Sequence, residues 1–313
     1  MHLADQVLFP ARQRLLLAGA ALLLALMFWA GRTLLPGWQL FWQQNFASAQ
    51  LREAAVWLPD FQVDIDALPV AADLANLSGL TFDPDRRTLF AITNSHPEIL
   101  ELNLDGRVLR RIPVAGLEDP EAIEYLAPSL YVVADERKQA LFAVRIDAQT
   151  SRLDFSGIPE LAIGIGRNGN KGFEGLAYDH RQGRLFVAKE RDPRKIFEVE
   201  GFPALSGAST GLRVADDPMR DDALPLKDLS SLHFDAASGH LLALSDESRQ
   251  IVELDHQGRP VSRLSLRGGR HGLQATVPQA EGMAMDDQGR LYVVSEPNLF
   301  YRFTRPYSAG SGG

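Results

Sequence analysis

Leu77-Ser78-Gly79-Leu80-Thr81-Phe82-Asp83 returns four more times along the chain in altered form. The copies are Pro120-Glu121-Ala122-Ile123-Glu124-Tyr125, Phe173-Glu174-Gly175-Leu176-Ala177-Tyr178-Asp179, Leu229-Ser230-Ser231-Leu232-His233-Phe234-Asp235 and Ala280-Glu281-Gly282-Met283-Ala284-Met285-Asp286. They start about 43 to 56 residues apart. Each phrase alternates or is wholly apolar, and Asp-led turns such as Asp83-Pro84-Asp85 follow most of them. Aspartate and glycine there are turn chemistry. A second apolar run comes next, for example Leu185-Phe186-Val187-Ala188-Lys189-Glu190. Repetition at this period predicts a β-propeller, each phrase opening one four-stranded blade. Five phrases in roughly 240 residues give about 48 per blade, hence five blades. The last copy runs out of chain after its third strand. Its fourth is expected from Phe61-Gln62-Val63-Asp64-Ile65-Asp66, which joins both ends and removes the sheet edges. Residues 200–226 leave room for a sixth blade, but no phrase marks it.

Ahead of the repeats, residues 15–31 read LLLAGAALLLALMFWAG, without a charge. With Leu34, Leu35 and Trp38 the apolar stretch is long enough to span about 30 Å of hydrocarbon. Arg32 near its far end can snorkel, and Trp29, Trp38 and Trp42 suit the interface. Arg12 and Arg14 precede the run, so the positive-inside rule keeps the N-terminus cytoplasmic. A cleaved signal peptide is the alternative, but Ala47-Ser48-Ala49 lies too far beyond the apolar run. The expected organisation is a cytoplasmic segment at residues 1–14, a transmembrane signal anchor at 15–38 and a linker at 39–60. The propeller follows at 61–305 and a flexible tail at 306–313. That puts the chain in a bacterial inner membrane, single pass, with the propeller in the periplasm. A net charge of −8 argues against nucleic acid as a partner, and the absence of cysteine excludes disulfides and thiolate metal sites.

The first strand of a blade lines the central channel. The residue near the start of the phrase, its second, therefore faces the axis, and it is Ser78, Glu121, Glu174, Ser230 or Glu281. Carboxylates converging on one channel repel, so they protonate, are screened, or hold a cation. Ca²⁺ suits a site of several hard oxygens with irregular geometry. Glu121, Glu174 and Glu281 are the candidate metal ligands. The second strand returns to the same mouth and ends at Asn94, Asp135, Glu190, Asp246 or Glu296. Asp135, Glu190, Asp246 and Glu296 are thus candidates for an outer metal shell. The alternative is that these acids accept bonds from loop amides or pair with Lys189, Arg191 and Arg249. Two glycine-rich, basic segments, 164–171 and 267–272, lead to the same mouth. Their Arg167, Lys171, Arg270 and His271 are candidates for binding a small anion. Gly164, Gly166 and Gly169 match a dinucleotide fingerprint, but a strand rather than a helix follows. Gly207-Ala208-Ser209-Thr210-Gly211 matches a nucleophile elbow without its strand-turn-helix context. His233 reads as a core or channel residue.

The phrases Gly172-Phe173-Glu174-Gly175-Leu176-Ala177-Tyr178 and Gln279-Ala280-Glu281-Gly282-Met283-Ala284-Met285-Asp286 resemble those of the SdiA-regulated, YjiK-like proteins. Ser295-Glu296-Pro297-Asn298 fits the same pattern. The resemblance covers most of residues 10–305. It implies a five-bladed propeller distantly like NHL repeats, with a bound calcium site. Two function classes stand. One is a calcium-binding module that recognises a periplasmic protein or a small anionic ligand. The other is a calcium-dependent hydrolase of phosphoesterase or lactonase type. An open metal position would favour the second.

Overall fold

In the computed structural model, which describes residues 11–164, 171–203 and 211–306, the five phrases open five sheets. Blade 1 is Leu77–Asp83, Thr88–Thr93, Glu98–Leu102 and Val108–Ala115. A short strand, Leu153–Asp154, adds in parallel to its outer edge. Blade 2 is Pro120–Ala127, Leu130–Asp135, Ala140–Arg145 and Glu160–Ala162; blade 3 is Phe173–Asp179, Arg184–Lys189, Lys195–Glu200 and Arg213–Asp216. Blade 4 is Ser231–Asp235, His240–Ser245, Gln250–Leu254 and Pro260–Ser265. Blade 5 takes Ala280–Met285, Leu291–Ser295 and Leu299–Thr304 from the C-terminal side and Gln62–Pro69 from the N-terminal side. Gln62 pairs with Thr304 and Pro69 with Leu299, so the closure expected from residues 61–66 forms and runs three residues further. The described residues form no sixth sheet. Arg213–Asp216 is the outer strand of blade 3, and Pro218–Ala223 is a helix.

Each innermost strand packs against the next around the ring. The apolar core is divided accordingly. One cluster joins Phe90 and Ile112 of blade 1 to Tyr131 and Phe142 of blade 2. Others join blades 2 and 3, 3 and 4, 4 and 5, and 5 and 1. Each fully buried Leu, Ile or Phe side chain is worth about 1.5–3 kcal/mol, and the ring shape leaves no blade without two apolar neighbours. The glycine of the phrase permits the tight approach at the axis. A Cβ on Gly282 would lie 2.5 Å from the Ser78 carbonyl oxygen, and one on Gly79 2.6 Å from the Ala122 Cα.

A helix of 36 residues, Ala11–Phe46, precedes the propeller. Its end docks on the outer strand of blade 4, where the Gln44 Nε2 amide donates to the Arg263 carbonyl at 3.0 Å. After a short helix, Ala49–Ala54, capped by Ser48, the chain passes under blade 4. There the Val56 and Trp57 amides donate to the buried Glu253 carboxylate at 2.7 and 3.1 Å. Among the described residues no helix is long and apolar enough to cross a membrane. The side chains of residues 28–37, in the middle of the expected anchor, lie outside the described residues, as do residues 1–10 and the expected tail from 307 onward.

Candidate metal centre at one mouth of the channel

Strand polarity brings every phrase start to one mouth, and the acids that stand there are crowded. Glu121 is almost wholly buried. Its Oε2 accepts from the Ser78 hydroxyl at 2.8 Å and its Oε1 from the Asn94 amide at 2.9 Å. Asp119, Glu121 and Glu136 each offer a carboxylate oxygen within 4.8 Å of the other two, and so do Glu136, Glu174 and Glu190. The two groups share Glu136. That side chain is held by the Gly172 amide at 2.8 Å. Gly172 has to be glycine for this, because a Cβ would meet the Glu136 Cγ at 2.5 Å.

Glu174, Glu190, Asp228, Asp246, Glu247 and Glu281 line an adjoining cavity of about 420 Å³. Among the described lining residues only Arg191 and Arg249 oppose them. Arg191 reaches Glu190 at 3.2 Å and also pairs with Glu247, while Arg249 pairs with Asp246. The excess negative charge shows in the acidities. Burial, then the nearby Glu121 and Asp246, push Glu281 up to about 9. Burial pushes Glu190 up to about 7, against the pull of Arg191. Burial and the neighbouring Glu121, Glu136 and Glu281 raise Glu174 well above the usual carboxylate range. Glu121 is raised too, again chiefly by burial. Two buried acceptors at this mouth have no hydrogen-bond partner, the Glu190 Oε2 and the Asn94 Oδ1. Hard oxygens without donors, in an excess of carboxylates, are the donor set that a divalent ion such as Ca²⁺ takes.

Of the expected ligands, Glu121 and Glu174 meet through Glu136, and Glu281 shares the cavity with Glu174. Of the outer acids, Glu190 and Asp246 line the cavity. Glu296 adds to the field at Glu281 and accepts from the Asn76 amide at 3.1 Å. Asp135 stands elsewhere. Its carboxylate is buried under the loop and accepts from the Glu118 and Lys138 amides at 2.7 and 3.0 Å. Register is the reason. The blade 2 hairpin pairs Ala127 with Leu130 across two residues, whereas blade 3 pairs Asp179 with Arg184 across four. Counting from the start of the second strand therefore slips by one. Pro120 faces Asp135 as Phe173 faces Lys189, so Glu136 is the counterpart of Glu190.

Glu136, Asp119, Asp228 and Glu247 are the acids at this mouth that the sequence reading missed. Asp119 and Asp228 each sit two residues before the axis-facing second position of a phrase, Glu121 and Ser230. The described basic candidates do not gather here. Lys171 pairs with the exposed Asp192. Arg270 and His271 line a different cavity of about 570 Å³ beside Gln44 and Pro59. The His271 Nδ1 lies 2.9 Å from the Phe61 carbonyl oxygen, and its own carbonyl accepts from Val63, so it secures the closure strand. Arg167 lies outside the described residues, as do the central residues of both glycine motifs.

Solved structures share the propeller fold. A glutaminyl cyclase from Myxococcus xanthus superposes with a TM-score of 0.51 at 13% identity, over 78% of this chain and 95% of that one. A chain of a nidogen/laminin complex gives 0.46 at 18% identity, covering 75% and 84%. A luciferin-regenerating enzyme gives 0.47 at 13% identity, covering 80% and 95%. At these identities the likeness concerns fold alone. The family is fixed by sequence instead: the SdiA-regulated family model matches residues 53–304, and the chain belongs to that family.

Proposed function

We propose that this protein is a membrane-anchored, periplasmic calcium-binding propeller that recognises a ligand at its acidic mouth. The observation that carries the metal is the pair of acid clusters hinged on Glu136, with the unpartnered Glu190 and Asn94 oxygens beside them. Glu136, Glu174 and Glu190 would hold the ion, and Glu121 and Glu281 would set the surrounding charge. A bound divalent cation would supply a positive centre for an anionic group or a partner's carboxylate. Arg191 and Arg249 stand at the same cavity to orient it. Equilibrium dialysis of the full chain against calcium tests this. One tightly held equivalent is expected, and retention of none would contradict it.

The anchor is supported by exposure. Leu15, Leu16, Leu17, Leu22, Leu23, Leu24 and Met27 are all 57% exposed or more, on a helix that meets the propeller at its far end. Such a surface is at home in lipid rather than water. With Arg12 before the apolar run, the propeller faces the periplasm. A periplasm-active reporter fused after Phe303 should therefore be active and a cytoplasm-only reporter silent; the reverse pattern refutes this topology.

A binding or sensing role is favoured over hydrolysis by the state of the basic groups. Arg191 and Arg249 are engaged in ion pairs, and His271 is committed to the closure strand. No described histidine or lysine lines the acidic cavity to serve as a general base. The hydrolase reading keeps one argument, the roomy cavity beside the clusters, which would leave a metal position open to substrate.

A further inference from the structure

The channel has a second mouth, where the innermost strands end. A cavity of about 550 Å³ lies there, a size that accepts small organic molecules. Exposed Pro84, Ala236 and Ala237 mark its opening to solvent. The fifth phrase position supplies part of its inner layer: Thr81, Glu124 and His233. Glu124 is the unusual member. Its Oε2 accepts from the Thr81 hydroxyl at 2.9 Å and its Oε1 from the Tyr178 amide at 3.2 Å. Both oxygens accept from neutral donors, and no described basic residue pairs with it. Burial, opposed only by those two bonds, pushes it up to about 8.

The walls around it are aromatic. Tyr125, Tyr178 and His180 form one continuous ring cluster, with centroids 4.8 and 5.9 Å apart from His180. Phe82 and Phe234 also line the cavity. The rim is acidic. Asp286 and Asp287 are neutralised by Arg290 and Arg87, but Glu53 and Asp235 make no ion pair with a described residue. Arg305, the one basic residue among the described lining apart from the histidines, lies over the Phe61 ring at 5.2 Å.

We propose that this second mouth binds a small organic cation, an amine or quaternary ammonium, with Glu124 as its counter-ion and the aromatic side chains as its walls. A cation meets both halves of the cavity at once: it favours the ionised form of a carboxyl that has no opposite charge beside it, and aromatic faces attract it. A neutral molecule would draw nothing from the ionised form of Glu124, and an anion would be repelled by Asp235 at the rim. This site stands apart from the acidic mouth and does not depend on a metal there.

The test is calorimetric titration of the full chain, in an uncharged detergent and saturated with calcium so that the first mouth is filled. Choline is compared with 3,3-dimethylbutan-1-ol, which has its shape without its charge. Choline should bind at least tenfold more tightly. Glu124→Gln, which keeps shape and removes the charge, should weaken choline at least tenfold, while Asp73→Asn, at an exposed acid outside both mouths, should leave it unchanged. The comparison of the two probes on the unaltered chain needs no variant to fold. Absence of choline binding, equal binding of the two probes, or full affinity in Glu124→Gln would overturn the proposal.

Discussion

Glu253→Ala is expected to lower stability by about 3–5 kcal/mol, the range for breaking a buried ionic hydrogen-bond network. At 2–4 °C per kcal/mol, that is a fall in Tm of roughly 10 °C. Glu253 sits in the third strand of blade 4 and is fully buried. Its Oε1 accepts from the Val56 amide at 2.7 Å and lies 2.7 Å from the His240 Nδ1. Its Oε2 accepts from the Trp57 amide at 3.1 Å and from the Ser262 hydroxyl. Ser262 in turn accepts from the Leu58 amide at 3.0 Å. One carboxylate therefore fastens the segment that joins the long helix to the propeller. Truncation leaves two buried amides without acceptors, each costing about 1–3 kcal/mol. Glu253→Gln keeps the shape and one acceptor and should lose less. Thermal unfolding gives the stability, and limited proteolysis across residues 47–60 should accelerate in the alanine variant. A melting temperature within 1–2 °C of the parent (a change of less than about 1 kcal/mol) would show that the latch carries little.

The second large effect is a pH dependence of opposite sign to ordinary acid denaturation. Glu281, Glu190, Glu121 and Glu174 all hold their protons more tightly in the folded chain than the ordinary value near 4.5 allows. A raised native pKa means that the folded state binds more protons than the unfolded state above pH 4.5. Stability from these groups is complete below that pH. It declines as pH rises, through about 7 for Glu190 and on to about 9 for Glu281. In chelator, the chain should thus melt at progressively lower temperature from pH 5 to pH 9. Calcium should reverse the trend, because it binds the deprotonated carboxylates. At a hundredfold excess over Kd, a ligand of the native state adds about 2.7 kcal/mol. That corresponds to roughly 5–10 °C at pH 8, and to far less at pH 5. A chelator-treated chain whose stability rises across pH 5–9 would contradict the charge balance argued for this mouth.

Blade number and closure could be read from the chain because each blade repeats the same local solution. An apolar innermost strand, a glycine or other small residue where neighbouring strands touch, and an Asp turn recur in a fixed order. Gly79, Gly175 and Gly282 recur because a Cβ at any of them would fall within 2.9 Å of a neighbouring blade's backbone. Glu121 and Glu174 were visible for the same reason. Glu136 was not, because register depends on hairpin length. The turn after Ala127 is Pro128-Ser129 rather than an Asp-led one, and that shortening was the signal that the second strand of blade 2 starts one residue out of step. Lys171, Arg270 and His271 stand away from the acidic cavity for a different reason. The two glycine-rich segments share a sequence style, but the direction of residues 267–272 is set by what they pack against, and His271 packs against the closure strand that arrives from 210 residues earlier.

The acidic mouth is best tested by the anomalous signal of a crystal grown with calcium. A single peak is expected among Glu136, Glu174 and Glu190, with carboxylate oxygens about 2.3–2.6 Å away, the distance range of calcium ligation. No peak at that mouth, or one whose ligands exclude Glu136, would contradict the account.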